Sequence, residues 1–343
     1  MKTSDFDFRV PKELIAHEPL PVRDSSRLMI VHRESGEIEH KHFSNLPEYL
    51  VPGDLLVMNN TKVLPANLVG RKEEGGAKIE ILLLERVKEQ SEEVWHCLVR
   101  PGKRVKVGSK IIFGEGELRG EVLEKLVDGE QTIRFSGELM KWVKRHGEMP
   151  LPPYVKPQDR AAAGRRYQTI YASREGAAAA PTAGFHFTEK LLKKIIGKGV
   201  KTTEITLHTG LATFKPIYAE EIEEHQMHEE QFIVPGESIK AIKSAKRRIA
   251  VGTTSVRTLE TIAAVNPGLK SEKGLAGSTG LYIYPGYKFK IVDALVTNFH
   301  WPRTSLILLV SAFAEKNLIM RAYQEAIDKK YRFFSFGDAM LIV

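Results

Sequence analysis

Between residues 67 and 152 the chain changes its pattern, and that change limits the folds open to it. Stretches at 79–84, 94–99, 110–113, 117–125 and 131–135 read as short strands. Turn signals separate them at Gly75-Gly76, Pro101-Gly102, Gly114 and Asp128-Gly129. Strands at this spacing, with no long helix among them, predict a small antiparallel barrel or sandwich. The run Met149-Pro150-Leu151-Pro152-Pro153 closes the segment. On either side the text is mixed. Stretches 55–58, 202–207, 249–251 and 291–296 read as strands, and 189–197, 236–248, 255–264, 304–315 and 317–330 as helices. Alternation of that kind builds an α/β core. The expected architecture is α/β: a main mixed α/β domain in two parts, 1–66 and 153–343, with a small antiparallel β-barrel domain inserted at 67–152.

Composition narrows the class. At 343 residues, 42% hydrophobic and 27% charged, the chain is globular and exceeds one ordinary core. The apolar run 306–313 is far short of the roughly 18 residues a membrane span needs. Residues 1–10 mix acidic, aromatic and basic side chains, unlike a signal peptide. Cys97 is the one cysteine, so no intramolecular disulfide and no cysteine-rich zinc site can form. A cytoplasmic protein with no membrane partner is expected. The excess of 51 Lys+Arg over 43 Asp+Glu, net +8, favours a polyanionic partner such as tRNA. Basic residues cluster at 141–145, Arg165-Arg166, 193–201 and 240–248. Lys240, Lys243, Lys246 and Arg247 fall at helical spacing, which an ordinary solvated face would also explain. The segment 155–180, rich in Ala, Arg and Gly, reads either as a functional loop or as a plain connector.

Several junctions carry residues suited to chemistry. In Pro181 to Thr188 a histidine, His186, lies between two aromatics, just ahead of a helix capped by Thr188. His208 and His300 recur in similar settings. In Val251-Gly252-Thr253-Thr254-Ser255-Val256-Arg257 a strand ends at a glycine and a helix begins, which suits a phosphate or carboxylate, or is simply a capped helix. Asn59-Asn60-Thr61 and Thr297-Asn298 place polar groups at strand ends, with a helix after Asn298 capped by Thr304. Tyr331 to Met340 adds Arg332 and Asp338. His225 and His228 could share a helical face, but the His-Glu-x-x-His signature is absent, and no metal site is assigned. Neither a phosphate-binding P-loop nor a dinucleotide fingerprint occurs, since Arg119 stands where Gly114-Glu115-Gly116 would need a third glycine. These residues describe a polar, histidine-bearing cleft and name no reaction.

Taken together, the blocks closely resemble the S-adenosylmethionine:tRNA ribosyltransferase-isomerase family of the queuosine pathway. The likeness runs from Phe6-Asp7-Phe8 and Arg23-Asp24 through Asn59-Asn60-Thr61, Tyr167-Gln168-Thr169, Pro181 to Thr188 and Thr206-Leu207-His208. It continues in Thr213-Phe214, Gln226-Met227-His228, Gly252-Thr253-Thr254, Thr297 to His300 and Gly337 to Leu341. Departures fall at Lys62, Phe185, Thr209 and Ala212. The resemblance implies an α/β fold with an inserted β-barrel and an enzyme with two substrates, S-adenosylmethionine and a tRNA bearing 7-aminomethyl-7-deazaguanine. The products would be epoxyqueuosine-tRNA, adenine and methionine. It implies no cofactor beyond the co-substrate, no metal, and a monomer without an obligate protein partner. Proton transfer then falls to His186, His208 or His300, with Asp338 as a further candidate. Arg257 and the turn Gly252, Thr253, Thr254 would hold the methionine carboxylate; Asn59, Asn60, Thr61 and Asn298 would orient adenine, ribose or base. Lys240, Lys243, Arg165 and Arg166 are the candidate tRNA contacts. A metal-dependent hydrolase using His225 and His228, or a non-catalytic RNA-binding module, are the rival classes.

Overall fold

The structure is a computed structural model and describes residues 1–87, 93–126, 129–210 and 216–343. Asp128 of one expected turn, and Ala212, Thr213 and Phe214 of the family-like blocks, lie outside the described residues. The chain divides into one unit of Met1–Lys62 with Pro153–Val343 and a second of Val63–Pro152. The first unit opens with β1 (Arg27–Val31), β2 (Ile38–His42), β3 (Asp54–Asn59) and β4 (Thr61–Val63), at whose end the chain leaves it. The second comprises β5 (Asn67–Lys72), β6 (Lys78–Arg86), β7 (Glu93–Arg100), β8 (Lys110–Phe113), β9 (Leu118–Lys125), β10 (Glu130–Ser136) and α1 (Leu139–His146). Back in the first unit follow α2 (Arg160–Arg166), β11 (Arg174–Ala177), α3 (Glu189–Gly197), β12 (Lys201–Leu207), β13 (Glu230–Val234) and α4 (Gly236–Ser244). The chain ends with β14 (Arg247–Val251), α5 (Thr253–Val265), β15 (Leu275–Thr279), β16 (Ala294–Asn298), α6 (Ser305–Ala314), α7 (Lys316–Asp328) and β17 (Ala339–Ile342).

The second unit is the expected barrel, closed in the order β10-β7-β6-β5-β8-β9 with every neighbouring pair antiparallel. Alternate residues such as Ile79, Ile81, Leu83, Cys97 and Val99 fill its interior. Its sixth strand, β5, escapes the sequence pattern because Gly70 interrupts it. A Cβ there would lie 2.8 Å from the Phe113 ring and 2.9 Å from the Ile112 carbonyl, so the glycine permits the close approach of β8.

In the first unit β3 is buried at every position, as a strand covered on both faces must be. It lies inside a nine-stranded sheet of order β15-β13-β12-β3-β14-β16-β17-β1-β2. The four central strands β12, β3, β14 and β16 are mutually parallel, so their carboxyl ends share one edge. Side chains alternate between two cores. Leu55, Val57, Ala250 and Leu295 pack with residues of α4 to α7, while Leu56, Met58, Ile249 and Val296 pack with Leu191 and Ile195 of α3.

Three expectations fail for identifiable reasons. The helix at 236–248 stops at Ser244, because Arg247 is drawn into β14, where it clamps the buried carboxylate of Asp54 at 2.6 Å. The basic row through Lys246 and Arg247 is therefore not a helical face. The segment 155–180 is not a continuous loop, since α2, capped by the Asp159 carboxylate on Ala162 N, and β11 lie within it. The strand at 291–296 begins only at Ala294, because Ile291 and Val292 give their N–H groups to Glu260 of α5.

Glu260 is fully buried and also accepts from Lys290 N and the Tyr287 hydroxyl, so a carboxylate ties the entry of β16 to α5. Glu260→Gln turns an amide N–H₂ toward donors that need an acceptor. The expected cost is about 2–4 kcal/mol in urea unfolding, and a loss below about 0.5 kcal/mol would contradict the role.

Candidate active site

Where β14 ends, Gly252 takes φ +91°, a conformation that L side chains rarely adopt, and turns the chain directly into α5. The N–H groups of Thr253, Thr254 and Ser255 then have no partner within the helix and form its positive pole. Gly252, Thr253 and Thr254 at this pole line a cleft, open to solvent, of about 550 Å³ at the carboxyl edge of the central strands. Its walls are Thr182, Thr253, Thr254, Thr297, Asn298 and His300, with Tyr154, Trp301, Phe334 and Ser335 on the aromatic side. Trp301 stacks on Phe334 with ring centroids 3.7 Å apart, and Tyr154 packs edge-on to both. The Tyr154 hydroxyl bonds Ser335 Oγ at 2.5 Å and accepts from Ser335 N at 3.3 Å, and burial pushes its pKa up to about 12, so the phenol stays protonated. Thr209 Oγ1, also on the wall, is buried without a hydrogen-bond partner among the described residues.

Two of the three candidate histidines gather here in different roles. His300 lines the cavity. Its Nε2 bonds Thr297 Oγ1 at 2.8 Å, while Nδ1 has no protein partner among the described residues. His186 lies behind the wall, with Nδ1 on Ser26 Oγ at 2.7 Å and Nε2 on the Asn298 amide at 3.2 Å. Because Asn298 Nδ2 donates to Nε2, Nδ1 carries the proton and donates to Ser26; this tautomer is assigned from the network. Burial, joined by the fields of Arg23 and Arg332, lowers the His186 pKa to about 3, and burial alone does the same for His300. Both rings are neutral at pH 7. His208 lies off the cavity, bonded through Nδ1 to Thr61 Oγ1 at 2.8 Å, and burial and Arg174 lower its pKa.

Other residues singled out in the sequence occupy structural positions. The Asn59 amide, wholly buried, bonds both backbone groups of Leu207 as well as Thr61 N and Thr254 Oγ1, tying β3 to β12 and α5. Asn60 bonds Glu204 and Thr206. Arg257 turns away from the cavity, its guanidinium spent on Glu230 and the carbonyls of Thr279 and Leu281, because a buried cation must be paired. The Asp338 carboxylate accepts the N–H groups of Arg27 and Arg332, each at 2.8 Å. Burial raises its pKa, although those bonds and the two arginine charges oppose the rise. Lys240 and Lys243 are exposed and share Glu272; Arg165 is exposed, and Arg166 bonds the carbonyls of Leu20 and Pro21. Thr304 precedes α6 without capping it, since its hydroxyl donates to Trp301 O. His225 and His228 lie outside any helix, and among the described residues no three potential ligands gather for a metal. The sequence reading did not single out Thr182 within the Pro181–Thr188 block, nor Phe334 and Ser335 within the Tyr331–Met340 stretch, and it missed Tyr154, which reaches the cavity only through the fold.

A histidine whose folded pKa lies below its unfolded value stabilises the fold above pH 6.5 and loses that contribution as pH falls toward the folded pKa. For His186 the window runs from about pH 6.5 down to about 3, with a slope of up to about 1.4 kcal/mol per pH unit. The stability advantage of the native chain over His186→Gln should therefore shrink between pH 6.5 and 5 in urea titrations. An advantage that stays constant would contradict a buried neutral imidazole.

The comparisons agree across the whole chain. A family model described as "Queuosine biosynthesis protein" matches residues 3–342. The S-adenosylmethionine:tRNA ribosyltransferase-isomerases of Thermoanaerobacter sp. (strain X514) and Desulfitobacterium hafniense are 55% and 51% identical over 349 residues, with all of each chain covered. A crystal structure of the S-adenosylmethionine tRNA ribosyltransferase of Thermotoga maritima, at 2.00 Å resolution, is 42% identical with a TM-score of 0.56; the match covers 99% of this chain and 100% of that one. With its fold, its carboxyl-edge cavity and relatives matched end to end, this chain belongs to the queuosine biosynthesis protein family.

Proposed function

We propose that this chain is an S-adenosylmethionine:tRNA ribosyltransferase-isomerase. It transfers and isomerises the ribosyl part of S-adenosylmethionine onto 7-aminomethyl-7-deazaguanine at the tRNA wobble position. The products are epoxyqueuosine-tRNA, adenine and methionine. The carrying observation is the cavity that joins a helix pole, a row of hydroxyls, an aromatic wall and an imidazole, in a chain colinear with relatives of that name.

Each wall suits one part of S-adenosylmethionine. The α5 pole and the Thr253 and Thr254 hydroxyls suit the methionine carboxylate. Arg257, committed to Glu230, takes no part. The Trp301, Phe334 and Tyr154 wall suits the adenine ring, and an aromatic face also favours the sulfonium cation.

The sulfonium acidifies the adjacent 5′ carbon, and a base takes a proton there. The C1′–N9 bond breaks and adenine departs protonated, and the aminomethyl nitrogen takes its place on C1′. The ribose opens between C1′ and its ring oxygen, and the 5′ carbanion bonds to C1′ to close the carbocycle. The freed oxygen on C4′ closes the epoxide onto the 5′ carbon, breaking the carbon–sulfur bond and expelling neutral methionine. His300 is the residue for the proton transfer, since its Nδ1 is unpartnered among the described residues and its ring lines the cavity. Burial disfavours its imidazolium. A carboxylate at the α5 pole would favour the imidazolium when substrate is bound, whereas the nearer sulfonium would oppose it while acidifying the carbon to be deprotonated. His186, held by Ser26 and Asn298, positions the wall.

Incubated with S-adenosylmethionine and tRNA, the protein should release adenine and methionine in equal amounts, and only when the deazaguanine base is present. Release indifferent to that base, or none, would remove the assignment. His300→Ala should cut turnover by roughly 10²–10⁴-fold while S-adenosylmethionine binding stays within a few-fold. Near-native turnover would exclude His300 as the proton-transfer group.

A further inference from the structure

Beside the Asn298–His186 pair lies a second cavity, of about 290 Å³, walled by Arg23, Arg166, Ser26, His186, Phe185 and Ser335. Ser335 also lines the larger cavity, so the two adjoin. Arg23 donates to the carbonyls of Phe185 at 3.0 Å and Gln168 at 2.9 Å, and Arg166 to those of Leu20 at 2.9 Å and Pro21 at 3.2 Å. These partners are neutral, and among the described residues neither guanidinium forms an ion pair. Arg332 is near enough for its charge to act on His186, and its Nη1 is buried with no hydrogen-bond partner among the described residues.

Three arginines of β14 and α5 are treated differently. Arg247 is paired with Asp54, Arg248 with Asp293 and Arg257 with Glu230. At Arg23 the neighbouring charge is another cation, Arg166. Two half-buried guanidiniums that repel one another around an open cavity pay a desolvation penalty that clamping carbonyls does not offset. An anion would offset it, and planar forks match phosphate oxygens best.

We propose that this cavity seats a phosphodiester of the tRNA backbone next to the wobble nucleotide, held by Arg23 and Arg166 with Arg332 adding charge. The inference rests on tRNA being the substrate. A backbone phosphate on one side of the Asn298–His186 pair would aim its base at the cavity on the other.

The test is binding of an anticodon stem–loop to the full chain across a salt series, with S-adenosylmethionine binding measured separately by calorimetry. Arg166→Gln should weaken the stem–loop roughly tenfold and reduce the slope of log affinity against log salt by about 0.7–0.9. Arg166→Lys, which keeps the charge, should restore most of the slope, and both variants should bind S-adenosylmethionine normally. An unchanged slope in a glutamine variant that still binds S-adenosylmethionine would overturn the proposal. Should that variant fail to fold, native protein decides. Inorganic phosphate should compete with the stem–loop and shift the ring resonances of His186; competition without that shift would overturn the seat. Phosphate that shifts His186 without displacing the stem–loop would reassign the cavity to a small phosphate ligand. If native protein binds no stem–loop at all, the tRNA reading itself falls.

Discussion

The side chain of Asn298 is the junction on which the site depends. From the end of β16 its carbonyl oxygen accepts from Thr182, and its amide donates to the Phe334 carbonyl and to His186 Nε2. Three segments distant in sequence are thereby fixed to one strand end: the Pro181–Thr188 turn, the parallel edge of the sheet and the aromatic loop before β17. The amide also decides the chemistry of its neighbour. A ring whose Nε2 must accept can hold its proton only on Nδ1, so His186 is kept neutral and oriented toward Ser26.

That division of labour separates two histidines with similar depressed pKa values. Both are buried, and burial is the leading cause in each case. His186 has both ring nitrogens engaged by the protein, whereas His300 has one without a partner among the described residues and lines the cavity. Perturbed titration alone would have named both. Geometry puts one behind the cavity wall and the other on it, and that difference is what favours His300 for the proposed proton transfer.

Much of this organisation was legible in the sequence. The barrel announced itself through closely spaced turn signals, the α/β core through alternating periods, and the cavity edge through Gly252, Asn298 and His300 at strand ends. What sequence could not show was where polar groups would be spent. Asn59 and Arg257 look like ligand contacts in a linear reading, yet Asn59 ties two strands together and Arg257 is neutralised by Glu230 from a strand edge. Asp338 likewise spends its carboxylate on two backbone N–H groups. Tyr154 and Phe334 carry no local signal; packing against Trp301 brings them to the wall. Polar residues at strand ends mark a site in sequence, but only their hydrogen-bond partners distinguish frame from contact.

The proposed chemistry requires one orientation of S-adenosylmethionine in the carboxyl-edge cavity, and a crystal structure of the complex measures it most directly. The predicted result places the methionine carboxylate on the N–H groups of Thr253 and Thr254, adenine against the Trp301 wall and the 5′ carbon within reach of His300 Nδ1. Density for the ligand elsewhere, or a carboxylate bound by a released Arg257 with the 5′ carbon remote from His300, would contradict it.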